Sequence, residues 1–87
     1  MDIVATKHFL SQWEERVGKY YPRVKKKIYR AIRRGEHRMQ RNQKLGILVP
    51  VEFRGEKVYV IGKPDEENFV LITVLTLSQA NAIGWRR

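Results

Sequence analysis

Apolar residues recur through the first third of the chain with helical spacing. Phe9, Leu10, Trp13 and Val17 fall at i, i+1, i+4 and i+8, which places them on one stripe of a helix. Thr6 stands where an N-cap oxygen is needed and Gly18 where the pattern stops, so the spacing predicts a helix over residues 6–18. Val24, Ile28, Ala31 and Ile32 form a second stripe. Pro22 suits the first turn of that second helix and Gly35 its end.

Beyond Gly35 the period shortens. Glu36 to Arg41 is polar and reads as a short edge strand. Leu45 to Arg54 is rich in Ile, Val and Phe, Arg54-Gly55-Glu56 makes a tight turn, and Lys57 to Ile61 resumes the pattern, so a β-hairpin is predicted. Pro50 has no N–H for a ladder, so its strand lies at an edge there or bulges. Lys63 to Asn68 reads as a polar loop, and Phe69 to Leu77, almost uninterrupted in aliphatic residues, as a buried central strand. Ser78 opens a last short helix or tail. The predicted architecture is α+β, with two N-terminal helices packed on a three- to four-stranded antiparallel β-meander. An 87-residue chain has room for one modest core, so residues 1–87 are read as a single domain.

Composition narrows the chemistry. With no cysteine, a disulfide framework, a thiolate metal site and a cysteine nucleophile are all excluded. The N-terminus has no basic leader followed by a long apolar run, and no stretch approaches the roughly 18 apolar residues of a membrane span. A cytoplasmic protein without membrane contact is expected. Its net charge of +9 is concentrated: between Lys19 and Lys44 eleven cations stand against Glu36 alone, a net of +10, while the rest of the chain carries seven cations and eight acids. A solvated helix face of mixed sign would interleave Glu with Lys and Arg. Here the second helix and the segment after it present Arg23, Lys25, Lys26, Lys27, Arg30, Arg33, Arg34, Arg38 and Arg41, a footprint for nucleic-acid phosphates.

No phosphate-cradling glycine loop, zinc spacing, HExxH or GxSxG is present, so neither a metal nor a cofactor is expected. Phosphodiester chemistry without a metal is feasible on RNA, whose 2′-hydroxyl is a built-in nucleophile. His8 falls in the first turn of helix one, where an imidazole is a candidate base, and Gln12 and Arg16 continue a polar stripe at i+4 and i+8. Read blandly, His8 is a surface residue beside an N-cap and Arg16 pairs with Glu or covers an aromatic ring. Thr73 and Thr76 interrupt the last strand and, three apart, face opposite ways. His37, beside Arg38 and Arg41, either contacts a backbone phosphate or has no role. Tyr20, Tyr21 and Tyr29 sit among the cations, where an aromatic ring either stacks on unpaired bases or joins the core. Trp85, with Arg86 and Arg87, either stacks or covers the end of the sheet.

The order of these features resembles a known group. A His-bearing first helix (Thr6-Lys7-His8-Phe9, then Trp13-Glu14-Glu15-Arg16), a basic second helix and a meander ending Ile72-Thr73-Val74-Leu75-Thr76 are similar to the small metal-independent ribonucleases and toxins of the barnase, colicin tRNase and RelE-like type. The resemblance covers the layout of nearly the whole chain. It implies an endoribonuclease in which His8 is the acid or base, Arg16 a phosphate ligand, and Thr73 or Thr76 a hydroxyl donor, with a protein inhibitor or antitoxin as a partner. The chain departs from the group in lacking a catalytic Glu and a Lys in the last strand. The residues by themselves leave two alternatives open: a non-catalytic nucleic-acid-binding module, and a small effector whose cationic helix docks an acidic protein.

Overall fold

In the computed structural model, which describes residues 2–35, 40–42 and 46–82, both apolar stripes lie on helices. Helix α1 runs Lys7–Arg16 and helix α2 runs Pro22–Arg34. Thr6 caps α1, its Oγ1 accepting from the Phe9 N–H at 3.1 Å. The helix stops at Arg16, before Gly18, because the Val17 and Gly18 N–H groups both fold back on the Trp13 carbonyl at 2.8 and 2.9 Å.

The sheet departs from the expected meander. Its order is β1-β5-β4-β3-β2, built from Asp2–Ala5 (β1), Gln40–Asn42 (β2), Gly46–Phe53 (β3), Glu56–Asp65 (β4) and Asn68–Thr76 (β5). Strand β1 pairs with β5 in parallel, Ile3 opposite Phe69 and Ala5 opposite Leu71, and the other pairs are antiparallel. The protein is thus α+β with a mixed sheet. Four residues that bury one side chain, Ile3, carry too little alternation to be read as a strand.

The β3–β4 and β4–β5 hairpins each turn on two residues. Arg54 (φ 53°) and Gly55 (φ 80°) both sit in the left-handed region, which matches the right-handed twist of β3 and β4. The second hairpin corrects another expectation. Lys63, Pro64 and Asp65 extend β4 and pair with Val70, Phe69 and Asn68, so the turn shrinks to Glu66–Glu67. Pro64 is tolerated because it lies past Gly62, the last residue of β4 paired with β3. At Gly62 the β4–β5 register shifts, and a side chain there would collide with the Phe69 ring. The β3–β4 register runs unbroken through Pro50, without a bulge, and among the described residues β2 pairs along β3 as far as Leu48. Of the segment expected as an edge strand, Gln40 and Arg41 are in β2, whereas 36–39 lie outside the described residues.

Two clusters of buried side chains divide the sheet faces. Phe9 and Trp13 of α1 and Val24, Ile28 and Ile32 of α2 join Val49, Val51, Val58, Val60, Leu71 and Val74 in the larger one. Leu48, Tyr59, Ile61 and Leu75, pointing the other way, meet Ala80 of a short helix α3 (Leu77–Ala82). Strand β4 is therefore buried on both faces between Val58 and Gly62. No helix among the described residues is long and apolar enough to cross a membrane.

A candidate nucleic-acid interface

Helix α2 is amphipathic in an unusual way. Val24, Ile28 and Ile32 turn inward and are buried, while Arg23, Lys25, Lys26, Lys27, Arg30, Arg33 and Arg34 are all exposed, and the helix contains no acid. Pro22 fixes the first turn, extended Tyr21 precedes it without a side-chain cap, and the Gly35 N–H closes the end on the Ala31 carbonyl at 2.7 Å. Only the cations of the last turn, Arg33 and Arg34, suit the helix dipole. Arg23 and Lys25 oppose it, at about 0.3–1 kcal/mol for such a charge, and the i, i+4 pairs Arg23/Lys27, Lys26/Arg30 and Arg30/Arg34 repel at about 0.2–0.5 kcal/mol each. Burying three aliphatic side chains, at roughly 1.5–3 kcal/mol each, outweighs that repulsion, so the helix forms despite its charge. Stability does not account for the charge pattern. Among the described residues Lys25 alone is paired, to Asp2 at 3.5 Å, and both groups are exposed.

Beside α2 runs a groove of about 540 Å³, lined by Arg23, Val24, Lys26, Lys27 and Arg30 of the helix, by Phe53 and Arg54 at the β3–β4 turn, and by Tyr21. The cations lie against the rings. Lys27 Nζ is 5.5 Å from the Phe53 centroid, and the Arg54 guanidinium is 5.1 Å from Phe53 and 5.6 Å from Tyr21. Arg54 Nη2 also donates to Tyr21 Oη at 3.3 Å, and Lys19 reaches the outer side of the Tyr21 ring at 5.7 Å. A second groove of about 400 Å³, sharing Lys26 and Arg30 with the first, includes Lys25 and Tyr29, but also the carboxylate of Asp2.

The three tyrosines separate by position. Tyr20 packs edge-on to Phe9 and Trp13 at 6.0 and 5.8 Å, and burial raises the pKa of its hydroxyl, which has no hydrogen-bond partner. Tyr29 is half-buried against the core with Arg33 5.9 Å from its ring. Tyr21 alone is exposed, and it lines the groove. Sequence reasoning missed Phe53 and Arg54, which it assigned to a hairpin. The available signal was an aromatic and an arginine abutting the Gly55 turn.

Of the four residues expected to be catalytic, His8 and Arg16 lie on α1 and Thr73 and Thr76 on β5. His8 is exposed in the first turn of α1. Arg16, two turns further on, donates from Nη1 to the Val74 carbonyl at 2.8 Å. Thr73 lies opposite Ile61, on the sheet face that meets α3, while Thr76 lies opposite Val58 on the face of the larger core. Thr76 Oγ1 accepts from the Gln79 N–H at 3.3 Å and Gln79 Oε1 accepts from the Thr76 N–H at 3.0 Å, a capping box that starts α3. No hydrogen bond among the described residues joins any two of the four. Arg41 is exposed on β2, whereas His37, Arg38, Trp85, Arg86 and Arg87 lie outside the described residues. No group of three His, Cys, Asp or Glu among the described residues is placed to hold a metal ion.

Comparison with protein-family models, curated proteins and solved structures finds no match to this chain.

Proposed function

We propose that this protein is a nucleic-acid-binding module, acting on RNA in the cytoplasm, that grips phosphates with α2 and does not itself cut the strand. One observation carries the reading: an acid-free helix whose cations, Arg23, Lys27 and Arg30 among them, converge with Arg54 on a groove walled by aromatic rings. Helix cations that oppose their own dipole and repel one another are compensated when phosphates neutralise them. The ribonuclease reading needs His8, Arg16 and a strand hydroxyl around one phosphate. Arg16 and Thr76 are instead engaged in bonds that hold the fold together.

The test is anisotropy titration of a labelled RNA over a range of salt. With about four or five phosphate contacts, the slope of log affinity against log salt should be about −3 to −4. A flat slope would point to an acidic protein as the occupant of the same cations. In parallel, total RNA incubated with the protein in EDTA should stay intact. Fragments ending in 2′,3′-cyclic phosphate, lost in His8→Ala, would restore the ribonuclease.

A further inference from the structure

Charge alone does not explain the walls of the groove. Tyr20 and Tyr29 pack their rings against the core, but Tyr21 lies outside it, 37% exposed, and lines the same groove as Phe53. Arg54 bridges the two rings, within 5.6 Å of both, so that three flat groups border one groove. Its volume of about 540 Å³ falls within the ~300–1,000 Å³ of small-ligand pockets. Arg23, Lys27 and Arg30 fall at i, i+4 and i+7, a row about 10 Å long at 1.5 Å per residue. The first turn of α2 adds no capping side chain and no carboxylate, so its positive end is open to an anion.

We propose that the groove receives an unpaired base of single-stranded nucleic acid, stacked between Tyr21 and Phe53 against the Arg54 guanidinium, with the flanking phosphates on Arg23, Lys27 and Arg30. This rests on the nucleic-acid reading above and adds strandedness to it. A duplex hides the faces of its bases, so α2 laid on a duplex would meet phosphates and leave both rings unused. An unpaired base offers a π-face to each wall, and its sequence is immaterial because every base has one. The second groove beside α2 is the poorer seat, since Asp2 sets a carboxylate beside Lys25 there.

The experiment compares three labelled probes by anisotropy: an oligouridylate, the same strand with central abasic sites, and a duplex of equal length. Wild-type protein should bind the intact strand at least about fivefold more tightly than the abasic one, the smallest effect expected of one stacked base. Tyr21→Ala and Phe53→Leu should bring the intact strand down to the abasic level and leave the abasic and duplex affinities unchanged. Phe53→Leu keeps apolar volume beside Trp13, and Tyr21→Ala, outside the core, decides the matter if the other variant unfolds. Equal affinity for intact and abasic strands, with a steep salt slope, would overturn the base clamp while the nucleic-acid reading stands. Absence of binding to all three probes would overturn both.

Discussion

Helices α1 and α2 contribute to the same core, yet they use their polar residues in opposite ways. In α1 the polar groups complete the fold. Strand β1 stops at Ala5, the Thr6 N–H still reaching the Leu71 carbonyl at 3.4 Å, and among the described residues no strand pairs with β5 on that side beyond Leu71. Thr6 Oγ1 donates to the Leu71 carbonyl at 2.9 Å and Arg16 to the Val74 carbonyl at 2.8 Å, so two side chains replace the missing strand. Lys7, Glu14, Glu15 and Arg16 also give α1 both signs of charge. Helix α2 keeps one sign, pairs only Lys25 among the described residues, and borders a groove. A charge that the fold already uses is a poor candidate for function, and a charge that the fold would be more stable without is a better one.

The largest test of that contrast neutralises the groove side of α2. Arg23→Gln/Lys27→Gln/Arg30→Gln should lower RNA affinity on the order of 100-fold at moderate salt, from ~1 kcal/mol for each charge-assisted contact, and make the salt slope shallower by about 2. Its thermal midpoint should hold or rise, because like-charge pairs are removed. Arg16→Met should do the converse: a loss of about 1–3 kcal/mol in urea unfolding as the Val74 carbonyl loses its partner, with RNA affinity unchanged. If Arg16→Met weakened binding as much as the triple variant at equal stability, the division between the helices would fail. Thr76→Ala should cost about 1 kcal/mol by removing the α3 cap, again with no effect on binding.

The smallest effect is expected at Tyr20. Its hydroxyl is buried without a partner among the described residues, so Tyr20→Phe should hold or slightly raise stability at neutral pH. The difference emerges in alkali. Burial raises the folded pKa above the ordinary 10.0, so the unfolded chain loses its proton first, and the stability present below pH 10 falls as pH rises through the folded value. Unfolding midpoints measured through that range should decline more steeply for wild type than for Tyr20→Phe. Parallel curves would place the ring in contact with water.

Much of this architecture is legible in local pattern. The stripe Val24, Ile28, Ile32, with Pro22 before it and Gly35 after it, defines α2 almost to the residue, because helical spacing and caps are short-range signals. The hairpin at Arg54-Gly55 is legible for the same reason. Strand β1 is not: it exists because β5, more than sixty residues later, offers it an edge. Nor was the extension of β4 through Pro64, which depends on where β3 ends.

The candidate site divides along the same line. Sequence alone determined that a basic, acid-free helix exists and which of its faces is buried, since both follow from residue type and a 3.6-residue period. It also determined that Thr73 and Thr76 point to opposite faces, from the two-residue period of a strand. Only the tertiary structure decided that Arg16 and Thr76 satisfy backbone groups, that Tyr21 and not Tyr20 is the open ring, and that Phe53 and Arg54 close a groove with α2. Those outcomes depend on which distant segment comes to lie beside each side chain. A local pattern records a residue's own face, while the neighbour across from it is set by the packing of the whole chain.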